Sequence, residues 1–284
     1  MFESRYFVLA PNFHGATILS MLLNFNRSIV SLGDTYPSNL FDQVCGCGKL
    51  VSKCSFWKEV KSRVDCKRYE NCSKILPIYP EILNKRIDKY IYNILNTNCL
   101  RKLIDDKRML TFSNDYLSFE KAVFDKKSDG QATVFVDGVK SISRVKALIS
   151  AGVKCDGIIH LVRDPGDFAK SSMKQFNGGL KTLIQSSLIW RFYHNRVKSL
   201  SKEVPYLQIS YEHLCEKTDC NLSKAFNFLN VQPVGLMQLL KLNNNKWCFM
   251  GNSSVFNFNG ELKRSVHTLT NLERTLVRSF SGMK

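Results

Sequence analysis

Two short stretches carry residue types that can hold a phosphate-like anion. Asn12-Phe13-His14-Gly15-Ala16-Thr17 lies between an apolar run, Tyr6 to Ala10, and a second apolar stretch, Thr17 to Phe25. A strand passing through a glycine turn into a helix presents backbone N–H groups to an anion, and Thr17 adds a hydroxyl. Gly15 is not followed by Lys and Ser/Thr, so this is not a Walker A loop, and ATP hydrolysis is disfavoured. A purely structural turn fits the same residues equally well. Arg163-Asp164-Pro165 closes the apolar run Gly157 to Val162, and Ser171 stands eight positions after Arg163. Asp164 suits a helix N-cap and Pro165 the first helical position. A guanidinium at the strand end and a hydroxyl under two turns into the helix can then converge on one phosphate. A capped helix whose arginine pairs with a neighbouring carboxylate is the competing reading.

These residues need elements to position them. Short apolar runs at Tyr6–Ala10, Ile29–Leu32, Thr133–Val136, Gly157–Val162 and Tyr206–Ile209 read as strands. Helical patterns fall between them at Thr17–Phe25, at Ile142–Ile149, from Pro165 onward, at Leu180–Leu200 and at His213–Leu229. One long helix is expected over 80–107, where Ile82, Ile87, Tyr90, Ile91, Ile94 and Leu95 form an apolar face. Strands alternating with helices predict a parallel sheet wrapped by helices, an α/β fold in three layers. Ligands of such sheets bind beyond the carboxyl ends of the strands. Polar residues stand at several of those ends, Gly33-Asp34-Thr35 and Asp137-Gly138-Val139-Lys140 among them. No repeat or linker is evident, so one domain over 1–284 is expected, with an irregular cysteine-containing insertion around 45–75.

The chain has 284 residues, 44% of them hydrophobic, and a net charge of +17. Such an excess suits polyanionic partners: nucleic acid, an anionic surface or a multiply phosphorylated small ligand. The basic residues are dispersed, with short clusters only at Lys126-Lys127 and Lys263-Arg264, and no nucleic-acid-binding motif is present. A nucleic-acid partner is therefore not expected. No run reaches the length of a membrane span, and the first ten residues lack the pattern of a secretion signal, so a cytoplasmic location is expected. Of ten cysteines, Cys45, Cys47, Cys54, Cys66 and Cys72 cluster. Their spacing is not the paired C-x-x-C of a structural zinc site, and free thiols without metal are expected.

Taken in order, the motifs resemble those of PAPS-dependent sulfotransferases of the bacterial type, with similarities to the tyrosylprotein enzymes. The turn at 12–17 resembles their 5′-phosphosulfate loop. Arg163-Asp164-Pro165 with Ser171 resembles their 3′-phosphate motif. Leu32-Gly33-Asp34-Thr35 is similar to a Gly-Glu element. Cys45-Gly46-Cys47-Gly48 through Cys54-Ser55-Phe56-Trp57 is similar to the cysteine-glycine loop of bacterial members. Val136-Asp137-Gly138-Val139-Lys140 resembles a strand-end Asp-x-x-Lys. Ile209-Ser210-Tyr211-Glu212-His213-Leu214, leading to Phe228-Leu229-Asn230-Val231, resembles a late Tyr-Glu-Asp-Leu and Phe-Leu-Gly-Val signature.

The resemblance implies a P-loop, nucleotide-kinase-like α/β fold that binds PAPS and releases PAP. It implies that Asn12, Phe13, His14, Gly15, Ala16 and Thr17 cradle the phosphosulfate, that Arg163 and Ser171 hold the 3′-phosphate, and that Tyr211 contacts the nucleotide. Asp34, at the glutamate position, becomes the candidate base for a small-molecule or glycan acceptor, although Gly-Asp-Thr is also ordinary turn chemistry. Lys140 becomes a candidate for stabilising the transferring group, or else is an exposed lysine at a helix start. Many family members carry Lys or Arg, then Ser, before the loop glycine; this chain has Phe13 and His14. His14 is a candidate replacement cation or base, against the commoner structural role of a lone histidine. Near the C-terminus, Gly251-Asn252-Ser253-Ser254 resembles a family Gly-Asn element without the arginine that usually follows. A non-catalytic, nucleotide-binding relative is thus the alternative reading, and the sequence leaves acceptor and oligomeric state open.

Overall fold

The computed structural model describes residues 1–35, 43–63, 79–80, 82–83, 85–126, 131–241, 256, 258–262, 264 and 266–283. Cys66, Cys72, the turn at 128–130 and the 251–254 element lie outside the described residues. The chain begins with β1 (Ser4–Leu9), α1 (Ala16–Asn24) and β2 (Ile29–Ser31). After a 3₁₀ turn at Val51–Lys53 come α2 (Ser55–Arg63), α3 (Lys85–Ile94), α4 (Thr97–Leu103) and α5 (Asp106–Lys126). β3 (Val134–Asp137), α6 (Ile142–Ser150), β4 (Gly157–Val162), α7 (Pro165–Phe176), α8 (Leu180–Leu200) and β5 (Tyr206–Ser210) follow. The chain continues through α9 (Tyr211–Glu216), α10 (Thr218–Phe228), α11 (Leu236–Lys241) and α12 (Asn271–Ser281).

All five strands lie in one sheet, in the order β2-β3-β1-β4-β5. Every pairing is parallel, with Tyr6 opposite Val136 on one side of β1 and opposite Gly157 on the other. Parallel strands covered on both faces read as continuous apolar runs, and β1, β3 and β4 do. Alternate side chains of β1 enter different cores. Phe7 and Leu9 pack with Phe135, Trp57, Phe119 and Val145 on one face. Tyr6, Val8 and Ala10 pack with Leu19, Leu22, Leu222 and Phe226 on the other. The result is helices, sheet, helices. Among the described residues, no helix is long and apolar enough to cross a membrane.

The expected single helix over 80–107 is broken instead into α3, α4 and the start of α5. Asn96 caps α4 by accepting from the Cys99 amide at 2.8 Å, and Asp105 accepts from the Lys107 amide at 2.7 Å. Short polar side chains that bond to the next turn's N–H groups start new helices rather than continue old ones. The expected helix at His213–Leu229 is likewise divided at Lys217, where the Asn221 amide takes up the carbonyls of His213 and Lys217. In the described part of the cysteine stretch, Val44 and Leu50 pair across an antiparallel bridge, and α2 starts at Ser55.

Candidate active site

The site is assembled from the carboxyl ends of the five strands. At the end of β1, the turn into α1 takes two left-handed residues, Phe13 (φ 62°) and Gly15 (φ 80°). A Cβ on Gly15 would lie 2.3 Å from the Tyr211 ring. Glycine is required there both by φ and by that close approach. Tyr211 opens α9, held in place because the Ser210 hydroxyl caps the helix and the β5 strand carries it beside β4.

Arg163 ends β4, the sheet neighbour of β1, so its guanidinium meets the β1–α1 turn. Nη1 donates to the Phe13 carbonyl at 2.6 Å, and the guanidinium stands 5.4 Å from the Tyr211 ring centroid, in cation–π range. Trp190 of α8 donates its indole N–H to the Arg163 carbonyl at 2.7 Å. The arginine, the tyrosine and the glycine turn therefore form one unit. Asp164 caps α7, accepting from the Gly166 and Asp167 amides at 2.8 and 3.0 Å, with Pro165 in the first turn.

Ser171, half-buried two turns along α7, meets the imidazole of His267 at 3.3 Å. The chain returning from the C-terminal region is pinned there by Asp167, which accepts from the His267 amide at 3.1 Å and pairs with Arg264 at 3.3 Å. This brings Arg264 and His267 to the first turns of α7. Sequence reading passed over both, registering Arg264 only as part of a surface cluster. No local pattern marks them; the only signal is tertiary.

Across the sheet, Asp34 and Lys140 form an ion pair at 2.8 Å, with 13% and 23% of their side chains exposed. Gly138 explains why they meet: a Cβ on it would come within 2.3 Å of the Gly33 carbonyl oxygen, so the ends of β2 and β3 touch. Tyr193 of α8 donates to the Lys140 carbonyl at 2.9 Å, and its own hydroxyl is pushed well up by burial and by the Asp34 charge. Behind the pair, buried Asp137 accepts from Thr35 at 2.7 Å and from Tyr116 at 3.2 Å, with Arg144 at 3.9 Å. Burial raises the Asp137 carboxyl above the usual range despite these partners.

His14 is corrected by the structure. Its side chain is fully buried beneath the turn, with its ring 4.8 Å from that of Phe168 and tilted by 57°. Nδ1 bonds to the Asn12 carbonyl at 2.9 Å and Nε2 to His194 at 3.1 Å. His194 bonds in turn to His160 at 2.6 Å, and His160 to the Tyr206 hydroxyl. The Asn12 carbonyl can only accept, so His14 carries its proton on Nδ1. With all three rings neutral, the remaining bonds then have one direction. His194 donates to His14 and His160 donates to His194, which leaves His160 Nδ1 as an acceptor facing the Tyr206 hydroxyl, whose one proton is shared with Gln208 Oε1 at 3.2 Å. Burial, followed by the neighbouring His194, drives His14 well below the ordinary histidine value. A neutral ring without access to solvent is neither the replacement cation nor the base.

Of the remaining turn residues, Asn12 and Phe13 are exposed, Thr17 is half-buried and Ala16 is buried. A glycine turn between the central strand and the first helix, in an all-parallel sheet of this order, defines a P-loop-like α/β protein. No family model matches the chain, and no curated protein matches it. Among solved structures it is similar to the sulfotransferase domain from the Synechococcus PCC 7002 olefin synthase. That match has a TM-score of 0.51 at 15% identity and covers 98% of this chain and 94% of that one. A sulfotransferase domain from the curacin biosynthetic pathway matches with a TM-score of 0.48 at 14% identity, over 99% and 98% of the two chains. Within the P-loop-like class, the fold is that of the sulfotransferases; these neighbours do not bear on the tyrosylprotein likeness.

Proposed function

We propose that this protein is a sulfotransferase that uses PAPS as donor and a hydroxyl or amine of a small molecule or glycan as acceptor. The observation that carries the reading is the Arg163–Phe13 tether, with Tyr211 laid on Gly15. It joins the two regions that must hold opposite ends of one nucleotide. The residues present fit such a donor: a glycine whose missing Cβ leaves an aromatic ring against the turn, a fixed guanidinium, and a hydroxyl-imidazole pair on the next helix.

PAPS supplies an activated sulfuryl group whose transfer leaves a bisphosphate. The chain's part is to hold and orient it. The turn at Asn12–Thr17 offers backbone N–H groups to the phosphosulfate end. Arg163 and Ser171 take the 3′-phosphate, and His267 orients the Ser171 hydroxyl. Asp34 accepts the acceptor's proton at a carboxylate oxygen, and Lys140, paired with that carboxylate at 2.8 Å, keeps it aimed while adding positive charge where the leaving group develops charge.

The test is the stability gained on adding PAP compared with 5′-AMP. At a hundredfold excess over Kd, PAP should add about 2.7 kcal/mol, AMP far less, and Arg163→Ala should abolish the difference. Equal responses to both nucleotides in the unmodified protein would refute donor binding. A second reading, binding without transfer, rests on the exposed Phe13 and buried His14, which leave the turn itself without a cation. Labelled PAPS offered to a broad acceptor panel separates the two. Transfer that is lost in Asp34→Ala excludes the non-catalytic reading.

A further inference from the structure

Three thiols that the proposed reaction does not use converge. The sulfur atoms of Cys45, Cys47 and Cys54 lie within 4.8 Å of one another, and Cys47 and Cys54 approach to 3.6 Å. Sulfurs bound tetrahedrally to zinc at 2.3 Å stand about 3.8 Å apart, so the three need only small movements to share one ion. The sequence spacing, C-x-C-x6-C, had argued against a metal; the fold supplies what the spacing does not.

The backbone builds the cluster from both sides. The Cys45 amide donates to the Lys49 carbonyl, and the Gly48 amide to the Cys45 carbonyl, each at 2.8 Å, inside the bridge between Val44 and Leu50. Gly48 takes φ 83°, a left-handed turn that points Cys45 and Cys47 to one side. Cys54 enters from the other side, bonded to the Val51 carbonyl at 3.2 Å and immediately preceding α2. Cys45 and Cys54 are buried and Cys47 is half-buried, so the ion would be enclosed on two sides and approachable on the third. A disulfide between Cys47 and Cys54 would leave Cys45 without a role in this arrangement. Three thiolates around a divalent ion carry a net negative charge, and Lys49, Lys53 and Lys58 lie in the same segment.

The geometry points to a zinc site in which Cys45, Cys47 and Cys54 bind as thiolates, releasing their protons to solvent, with water or an added ligand in the fourth position. The ion clamps the 44–50 hairpin to the start of α2, beside Phe56 and Trp57.

Full-length protein purified without chelator or added metal should contain about one zinc per chain by elemental mass spectrometry. Cys47→Ser and Cys54→Ser should each lower that content by about tenfold or more, whereas Cys99→Ser and Cys220→Ser, both at exposed positions, should not. Cobalt exchanged into the site should show sulfur-to-cobalt charge-transfer absorption, lost in Cys47→Ser. Cys47 is half-buried, so that variant should fold even if Cys45→Ser does not. The proposal is overturned if the protein as purified lacks zinc while the three thiols alkylate freely, if a Cys47–Cys54 disulfide is found, if copper occupies the site, or if zinc survives both serine variants.

Discussion

The buried histidine chain makes stability depend on pH in a way that can be calculated. His160 is pushed down to about 2, chiefly by burial and then by His194 and Lys198. His194 is pushed down to about 3 by burial and Lys198, and His14 is lowered by burial, His194 and Arg163. An unfolded histidine titrates near 6.5, so below that pH the unfolded chain binds protons that the folded chain refuses. Stability is therefore full above the unfolded value and is lost as pH falls towards the folded ones. Between pH 7 and pH 5, each ring that stays neutral costs about 2 kcal/mol, and three cost about 6. A typical domain has about 5–15 kcal/mol in total. Glu120 and Asp137, whose carboxyls burial raises, act in the opposite direction, so the comparison must be with a variant. Urea unfolding at pH 7, 6 and 5 should show a steep loss in the natural sequence and, in His194→Gln, a loss smaller by about 2 kcal/mol or more. Identical slopes in the two proteins would mean that these rings do not stay neutral in the fold, and the directional chain of bonds would be wrong.

Other outcomes follow from the same geometry. Gly15→Ala forces a Cβ into the Tyr211 ring at a left-handed φ, and it should cost about 1–3 kcal/mol by thermal unfolding and erase the PAP response. Asp34→Asn should lower transfer by about 10²–10⁴-fold while leaving the PAP-induced stabilisation intact; a parallel loss of both would assign Asp34 to binding rather than proton transfer. Phe13→Lys places a cation where the sulfotransferases that the sequence resembles carry one; on the proposed reading it should tighten PAP about tenfold to a hundredfold, measured by calorimetry, since hydrogen bonds to charged groups contribute about 1.5–3 kcal/mol. Unchanged affinity would show that position 13 does not reach the ligand.

Much of the fold was legible because parallel strands buried on both faces must be apolar throughout. β4 and α8 fall at the residues expected, and β1, β2, β3 and β5 within a residue or two. Helix breaks at Asn96, Asp105 and Lys217 were missed because apolar periodicity continued across them, while the caps that divide them depend on single polar side chains. α12 went unanticipated although Thr270 and Glu273 form a capping box at its start. At the candidate site, local patterns located Arg163, Asp164 and the glycine turn. They could not reveal that His14 faces inward, because the partner that takes its ring, His194, is 180 residues away. The same holds for Arg264 and His267, brought to α7 by Asp167, and for the three thiols, whose spacing in sequence is misleading about their distance in space.

Phe13 and His14, where the sequence departs from the sulfotransferase pattern that it resembles, acquire a common physical reading once the turn is seen in place. A carbonyl oxygen near a bound phosphate or sulfate repels it, so an anion-binding turn works best when its carbonyls are occupied by donors. Here two carbonyls of the turn are taken: that of Asn12 by the neutral imidazole of His14 and that of Phe13 by the guanidinium of Arg163. The imidazole does this with its proton on Nδ1, and in the neutral ring Nε2 is then the acceptor that faces His194. Arg163 meanwhile brings a full positive charge against the turn from the neighbouring strand. Where the sulfotransferases that the sequence resembles carry a cation on the turn, this chain sets the Arg163 guanidinium against it from the end of β4, and His14 bonds to the backbone of the turn.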